Sequence, residues 1–216
     1  MASTTGLPAT RSVASPSYAK PILWTLMALA AISVILSTEL PILRDLPGYD
    51  HSYRLQLIAD RYLFLPHAFG GTLALLAGPL QFSTRLRRKH LQFHRILGRV
   101  YVFAVFIAVP CAILIEWHRP LFVAATFQAS LWFLCTLAAL LTARNRQLVQ
   151  HRQWMIRSYA MTFTFVLLRT LMLWPAYKTI SVNDQAFAPI IIIVSSAAVF
   201  FPSIAFNWRE LTTRHA

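Results

Sequence analysis

The stretch from His67 to Phe103 reads HAFGGTLALLAGPLQF (67–82), STRLRRKHLQFHR (83–95) and ILGRVYVF (96–103). An apolar run ends in a dense basic segment and restarts at once as a second apolar run. Two membrane helices joined on the cytoplasmic side have this pattern. The rest of the chain is oriented from that hairpin.

Composition agrees. Of 216 residues 57% are hydrophobic and 12% charged, with a mean hydropathy of +0.55, so charges are too few to coat a water-soluble domain of this size. The net charge of +13 does not point to nucleic acid, because no exposed basic domain is present to carry it. Its place is beside the bilayer, against anionic headgroups on the cytoplasmic face. Cys111 and Cys135 both lie in apolar runs and imply no disulfide framework.

Six apolar runs are read as spans: Ile22 to Ser37, Tyr62 to Phe82, Ile96 to Ile115, Leu121 to Ala143, Trp154 to Tyr177 and Ala186 to Phe206. A run of about twenty residues, at 1.5 Å rise per residue, crosses a hydrocarbon core of roughly 30 Å. The fold class is therefore all-α, a polytopic transmembrane bundle of about six helices. Residues 1–19 and 209–216 form polar tails around a six-helix domain at 20–208. In the loop between the first two spans, His51 to Tyr62 has the spacing of a short interfacial helix.

Charge sets the orientation. Of the 20 Lys and Arg residues, Arg44, Arg54, Arg61, Arg119 and Lys178 fall outside, Arg169 lies within a span, and the rest fall inside. That asymmetry places both termini in the cytoplasm and makes the protein a multi-pass resident of a bacterial cytoplasmic membrane. Glu39, Asp45, Asp50, Asp60, Glu116 and Asp184 also fall outside, leaving Glu210 alone within. The residues Gly70, Gly71, Ala74, Ala77 and Gly78 form a small-residue seam for close helix packing.

Ionisable groups within a bilayer cost at least about 2.5 to 3.5 kcal/mol, which makes each a candidate site. Arg169 falls ~8 Å below the outer boundary and His67 at the same ~8 Å depth. With one carboxylate, Glu116 or Glu39, from the helix ends on that side they suggest a buried outer polar cluster, and a small-solute or proton-coupled carrier would be centred on Arg169 and His67. A second layer lies inside, with His90 and His94 at i, i+4, then Arg95 and Arg99, and His151 with Arg152 before the fifth span. His94 and His151 share a depth, as two imidazoles from neighbouring helices must to ligate a haem iron from opposite sides. A haem b or quinone electron-transfer protein is therefore an alternative to a membrane-embedded ligand-binding or scaffold protein. The bland alternative is that these His and Arg residues only hold the interface. No HExxH, paired carboxylates, G-x-S-x-G elbow, P-loop or dinucleotide fingerprint appears.

His67 with Gly70 to Phe82, His94-Arg95-x-x-Gly98-Arg99-x-Tyr101, and His151-Arg152-x-Trp154-Met155-x-Arg157-Ser158-Tyr159 with Arg169 downstream together form a combined motif. It resembles the bacterial membrane proteins grouped as domain of unknown function 2306, over about Leu63 to Ala205. The resemblance implies a polytopic membrane protein whose signature residues are these His, Arg and Gly positions, Arg157 included. It implies no reaction.

Overall fold

The computed structural model describes residues 19–36, 55, 59–171, 174, 180 and 183–212, with side chains described from 25 to 208 within those ranges. The loop expected to carry an interfacial helix falls largely outside them, as do both tails apart from the backbone at residues 19 and 209–212. Every regular element described is helical: α1 (Ala19–Val34), α2 (Arg61–Gln81), α3 (Thr84–Lys89), α4 (Leu91–Ile115), α5 (Phe122–Arg144), α6 (Leu148–Leu171) and α7 (Asp184–Thr212). Six are long and α3 is a single short turn of helix, so the expected all-α bundle of about six helices is the observed one. The helices α2, α4, α5 and α7 are long and apolar enough to cross a membrane. Cys111 and Cys135 are free.

The basic segment of the hairpin is structured. Ser83 caps α3 by accepting a hydrogen bond from the Leu86 N–H at 3.2 Å, which satisfies one of the unpaired amides of a helix start. The chain breaks at His90 (φ −135°, ψ 64°) and restarts as α4. Across the hairpin the Gln81 Nε2 donates to the His94 carbonyl at 3.1 Å. The α5–α6 hairpin closes differently. Arg146 takes a left-handed φ of 59°, Gln147 N–H bonds the Thr142 carbonyl and Arg146 N–H the Ala143 carbonyl. This is a Schellman closure with arginine where glycine is usual.

Two helices begin more than a turn before their apolar runs. The third long helix begins at Leu91 rather than Ile96, and the fifth at Leu148 rather than Trp154. Backbone hydrogen bonding continues through polar residues at the headgroup level, where water still solvates their side chains, so hydropathy marks the hydrocarbon boundary and not the helix end. His94 and His151 are thereby helical residues.

Three apolar clusters make the interior. Ala74, Ala77, Tyr101, Ala104, Val105, Ala129, Ala139, Met155 and Tyr159 join α2, α4, α5 and α6. Ala31, Val34, Leu75 and Val166 join α1, α2 and α6, and Ala124, Leu168, Phe187 and Ile191 join α5, α6 and α7. Only α6 contributes to all three. The α2–α4 interface is the most extensive in the bundle, and small residues set its spacing. A Cβ on Gly70 would stand 2.7 Å from the Ala104 carbonyl oxygen and 3.2 Å from the Ala108 Cβ. On Gly78 it would collide with the Tyr159 ring, which is tethered by its hydroxyl to the Leu75 carbonyl at 3.2 Å. Gly71 meets nothing and is no part of the seam.

Consequently Gly70→Ala and Gly78→Ala should each lower stability by about 1–3 kcal/mol through overpacking, whereas Gly71→Ala should stay within about 0.5 kcal/mol of wild type. Unfolding of the three variants in detergent measures this ordering.

Candidate functional site

The helix that crosses the middle of the bundle is its most polar long one. Among the described helices of eighteen or more residues, α6 alone falls short of the apolarity of a free-standing span. It carries Gln150, His151, Arg152, Gln153, Arg157, Ser158, Thr162, Thr164 and Arg169. Backbone and hydroxyl groups have no water to bond with in hydrocarbon. The fold answers by burying Arg157, Ser158, Tyr159, Thr162 and Thr164 against other helices.

At the centre, Tyr101, Thr136 and Ser158 are all 0% exposed. The Tyr101 hydroxyl lies 2.8 Å from Ser158 Oγ and 2.8 Å from Thr162 Oγ1, and Ser158 Oγ lies 2.7 Å from Thr136 Oγ1. Thr136 also donates to the Trp132 carbonyl at 2.8 Å and Thr162 to the Ser158 carbonyl at 3.1 Å. Each hydroxyl has one proton to give. Once both threonines donate to backbone, Tyr101 and Ser158 must serve three hydroxyl pairs with two protons between them. The cluster therefore has alternative proton arrangements within one heavy-atom geometry. Further along, Gln128 Nε2 donates to Thr164 Oγ1 at 2.7 Å, tying α5 to α6 a second time.

The inner histidines sit two turns away. His94 precedes Tyr101 by seven residues and His151 precedes Ser158 by seven. Because α4 and α6 run in the same direction, this offset keeps each histidine on the face its helix turns toward the other, about 10 Å below the hydroxyl cluster. The two imidazoles lie within electrostatic range of each other, with Arg87 and Arg95 also acting on His94. His151 Nδ1–H donates to the Ala139 carbonyl at 2.8 Å, which fixes its tautomer and leaves Nε2 as the nitrogen with a lone pair. His94 Nδ1 is buried and has no hydrogen-bond partner among the described residues.

Other residues singled out from the sequence are distributed differently. His90 stands at the break between α3 and α4, so it does not share a helix with His94, and it is exposed, as are Arg95 and Arg99. Arg157 is buried on another face of α6, near Trp154 and Phe206. At the opposite end of the bundle His67 Nδ1–H donates to the Ala108 carbonyl at 2.9 Å, and the Arg169 guanidinium acts on His67 electrostatically. Arg169 occupies the last turn of α6, where a cation complements the helix dipole, and lies over the Phe165 ring at 5.3 Å. Glu116, expected beside them, has Arg119 and Asp184 as its charged neighbours instead. Arg119 in turn pairs with Asp60 at the start of α2. His67 is level with Ala108 on α4, whereas Glu116 caps the end of that helix, about 12 Å farther along its axis at 1.5 Å per residue. Glu39, the other carboxylate of the expected cluster, lies outside the described residues.

The hydroxyl cluster escaped the sequence reading. Its signal was available in α6, where Ser158 and Thr162 sit at i, i+4 and Thr164 follows, an unusual density of hydroxyls for a span.

Burial pushes the Glu116 carboxyl above the ordinary 4.5, with Arg119 opposing the shift. A raised value in the folded state means that the folded protein binds this proton more tightly than the unfolded one, so its contribution to stability falls as pH climbs from about 4.5 through the raised value. Thermal unfolding across that window should show the decline in wild type and a flatter profile in Glu116→Gln.

No curated protein and no solved structure matches this chain. The family described as predicted membrane protein (DUF2306) matches residues 64–208, a range that takes in α2 to nearly the end of α7 with both histidine layers and the hydroxyl cluster, and the chain belongs to that family.

Proposed function

We propose that this multi-pass membrane protein binds a small guest between His94 and His151, with the basic end of the bundle in the cytoplasm of a bacterial cell. One observation carries the reading: a buried imidazole nitrogen on His94 lacks a partner among the described residues, within electrostatic range of an imidazole whose tautomer is already set. An unsatisfied buried polar atom costs about 1–3 kcal/mol. A guest offering a matching group recovers that cost, and exposed Arg87 and Arg95 give the site a positive field suited to an anionic or electron-rich molecule.

A second reading, haem b as the guest, is favoured by the His151 bond. A ligating imidazole commonly donates its other N–H to a carbonyl, which orients the ring and raises its basicity; His151 meets this condition through Ala139. His94 meets it less well, since its Nδ1 has no such acceptor. Bound between them, haem would supply one-electron chemistry. A quinone is the electron-transfer alternative, with a carbonyl oxygen to accept a hydrogen bond from His94.

Full-length protein purified in mild detergent from haem-replete cells separates these readings. Extraction and mass spectrometry should recover a stoichiometric small molecule that is lost in His94→Ala and His151→Ala and kept in Arg88→Gln. A Soret band lost in both histidine variants identifies haem. A colourless preparation with no recovered guest would leave the bland interface role as the account of these residues.

A further inference from the structure

Arg157 is a charge buried inside the bundle with no counter-charge among the described residues. It is 9% exposed. Its Nε–H donates to Ser203 Oγ on α7 at 3.0 Å, and Ser203 passes its own proton to the Val199 carbonyl at 2.9 Å, so that bond holds the guanidinium at one corner. The rings of Trp154 and Phe206 present their faces to its Cζ at 4.6 and 5.3 Å. No acceptor among the described residues takes a hydrogen bond from either Nη group.

Cation–π contact offsets part of the burial of a guanidinium, but it uses the ring faces and leaves the in-plane N–H donors unsatisfied. Two Nη groups side by side, with Nε fixed and the faces covered by aromatic rings, are the arrangement that a phosphate or carboxylate accepts in bidentate fashion. The position narrows the source. Arg157 lies one turn past Trp154, an interfacial residue type, and α7 exposes Phe200 and Ile204 on the flanks of the face that carries Ser203. A lipid phosphate reaches such a depth with its acyl chains along that apolar surface, whereas a free anion would leave its hydration shell with nothing to cover α7. The exposed arginines of α3 at the same end draw anionic lipids toward it.

We propose that Arg157, positioned by Ser203, Trp154 and Phe206, is a specific site for the phosphate of an anionic phospholipid seated against α6 and α7. This site lies apart from the His94–His151 pair and does not depend on the guest proposed there.

Native mass spectrometry of the full chain in neutral detergent tests it, with phosphatidylglycerol, phosphatidylcholine and inorganic phosphate titrated separately. Wild type should retain one phosphatidylglycerol in preference to phosphatidylcholine and should not retain inorganic phosphate. Arg157→Gln should weaken phosphatidylglycerol binding by about tenfold, as expected for loss of a charge-assisted bidentate pair, and Arg157→Lys, which keeps the charge without the fork, by a few fold. The lysine variant keeps the test alive if the glutamine variant does not fold. Arg87→Gln with Arg88→Gln, which removes exposed charge only, should leave the last lipid bound. Wild-type phosphatidylglycerol affinity in Arg157→Gln or in Arg157→Lys would overturn the proposal, as would inorganic phosphate binding as tightly as the lipid. It is equally overturned if wild type retains no lipid and Glu210→Gln destabilises the fold as much as Arg157→Gln, since the counter-charge would then be the chain's own.

Discussion

A helix too polar to face lipid has to be enclosed by helices that are not, and the architecture follows from that requirement. α6 carries hydroxyls, a histidine and three arginines along its length, and among the described helices it alone takes part in all three apolar clusters. Around it stand α2, α4, α5 and α7, each apolar enough to meet acyl chains, with exposed Leu, Phe, Ile and Val on their outer surfaces. In water this distribution would be inside out. In a bilayer it is the stable one, because apolar surface loses nothing by facing lipid and an unbonded hydroxyl loses several kcal/mol.

Since lipid supplies no hydrophobic drive between helices, packing and hydrogen bonds must hold α6 in place. The small residues of α2 let backbones approach closely at Gly70 and let the Tyr159 ring enter over Gly78. The Tyr101–Ser158–Thr136 hydroxyls then link α4, α6 and α5 at one level. The same alignment carries two turns down to His94 and His151, which lie within electrostatic range of each other. Two histidines, His67 and His151, use their Nδ1–H on a neighbouring helix's carbonyl. Both thereby carry the lone pair on Nε2, one at each end of the bundle.

Much of this was legible in the chain. The apolar runs located all six long helices, and the small residues of the second run marked its packing face, apart from Gly71. What hydropathy could not supply was azimuth. Ser158 and Thr162 stand inside the expected run Trp154 to Tyr177, and although α6 is the least apolar of the long helices, its sequence does not say which neighbouring helices those hydroxyls meet, so its central position was not legible. Depth estimates from residue counts grouped His67, Arg169 and one carboxylate, and could not say which carboxylate; Glu116 has Arg119 and Asp184 as its charged neighbours. The i, i+4 pairing of His90 with His94 presumed an unbroken helix, and the backbone turn at His90 removes that premise.

The central claim is that buried hydroxyl bonding clamps α6 to α4 within the bundle. A double-mutant cycle on Tyr101→Phe and Ser158→Ala, measured by reversible unfolding in detergent or bicelles, tests it most directly. The account predicts a favourable coupling of about 0.5–1.7 kcal/mol between the two side chains, the range of interhelical hydrogen bonds in membranes. Strict additivity of the two substitutions would contradict it, leaving α6 held in the bundle by packing alone.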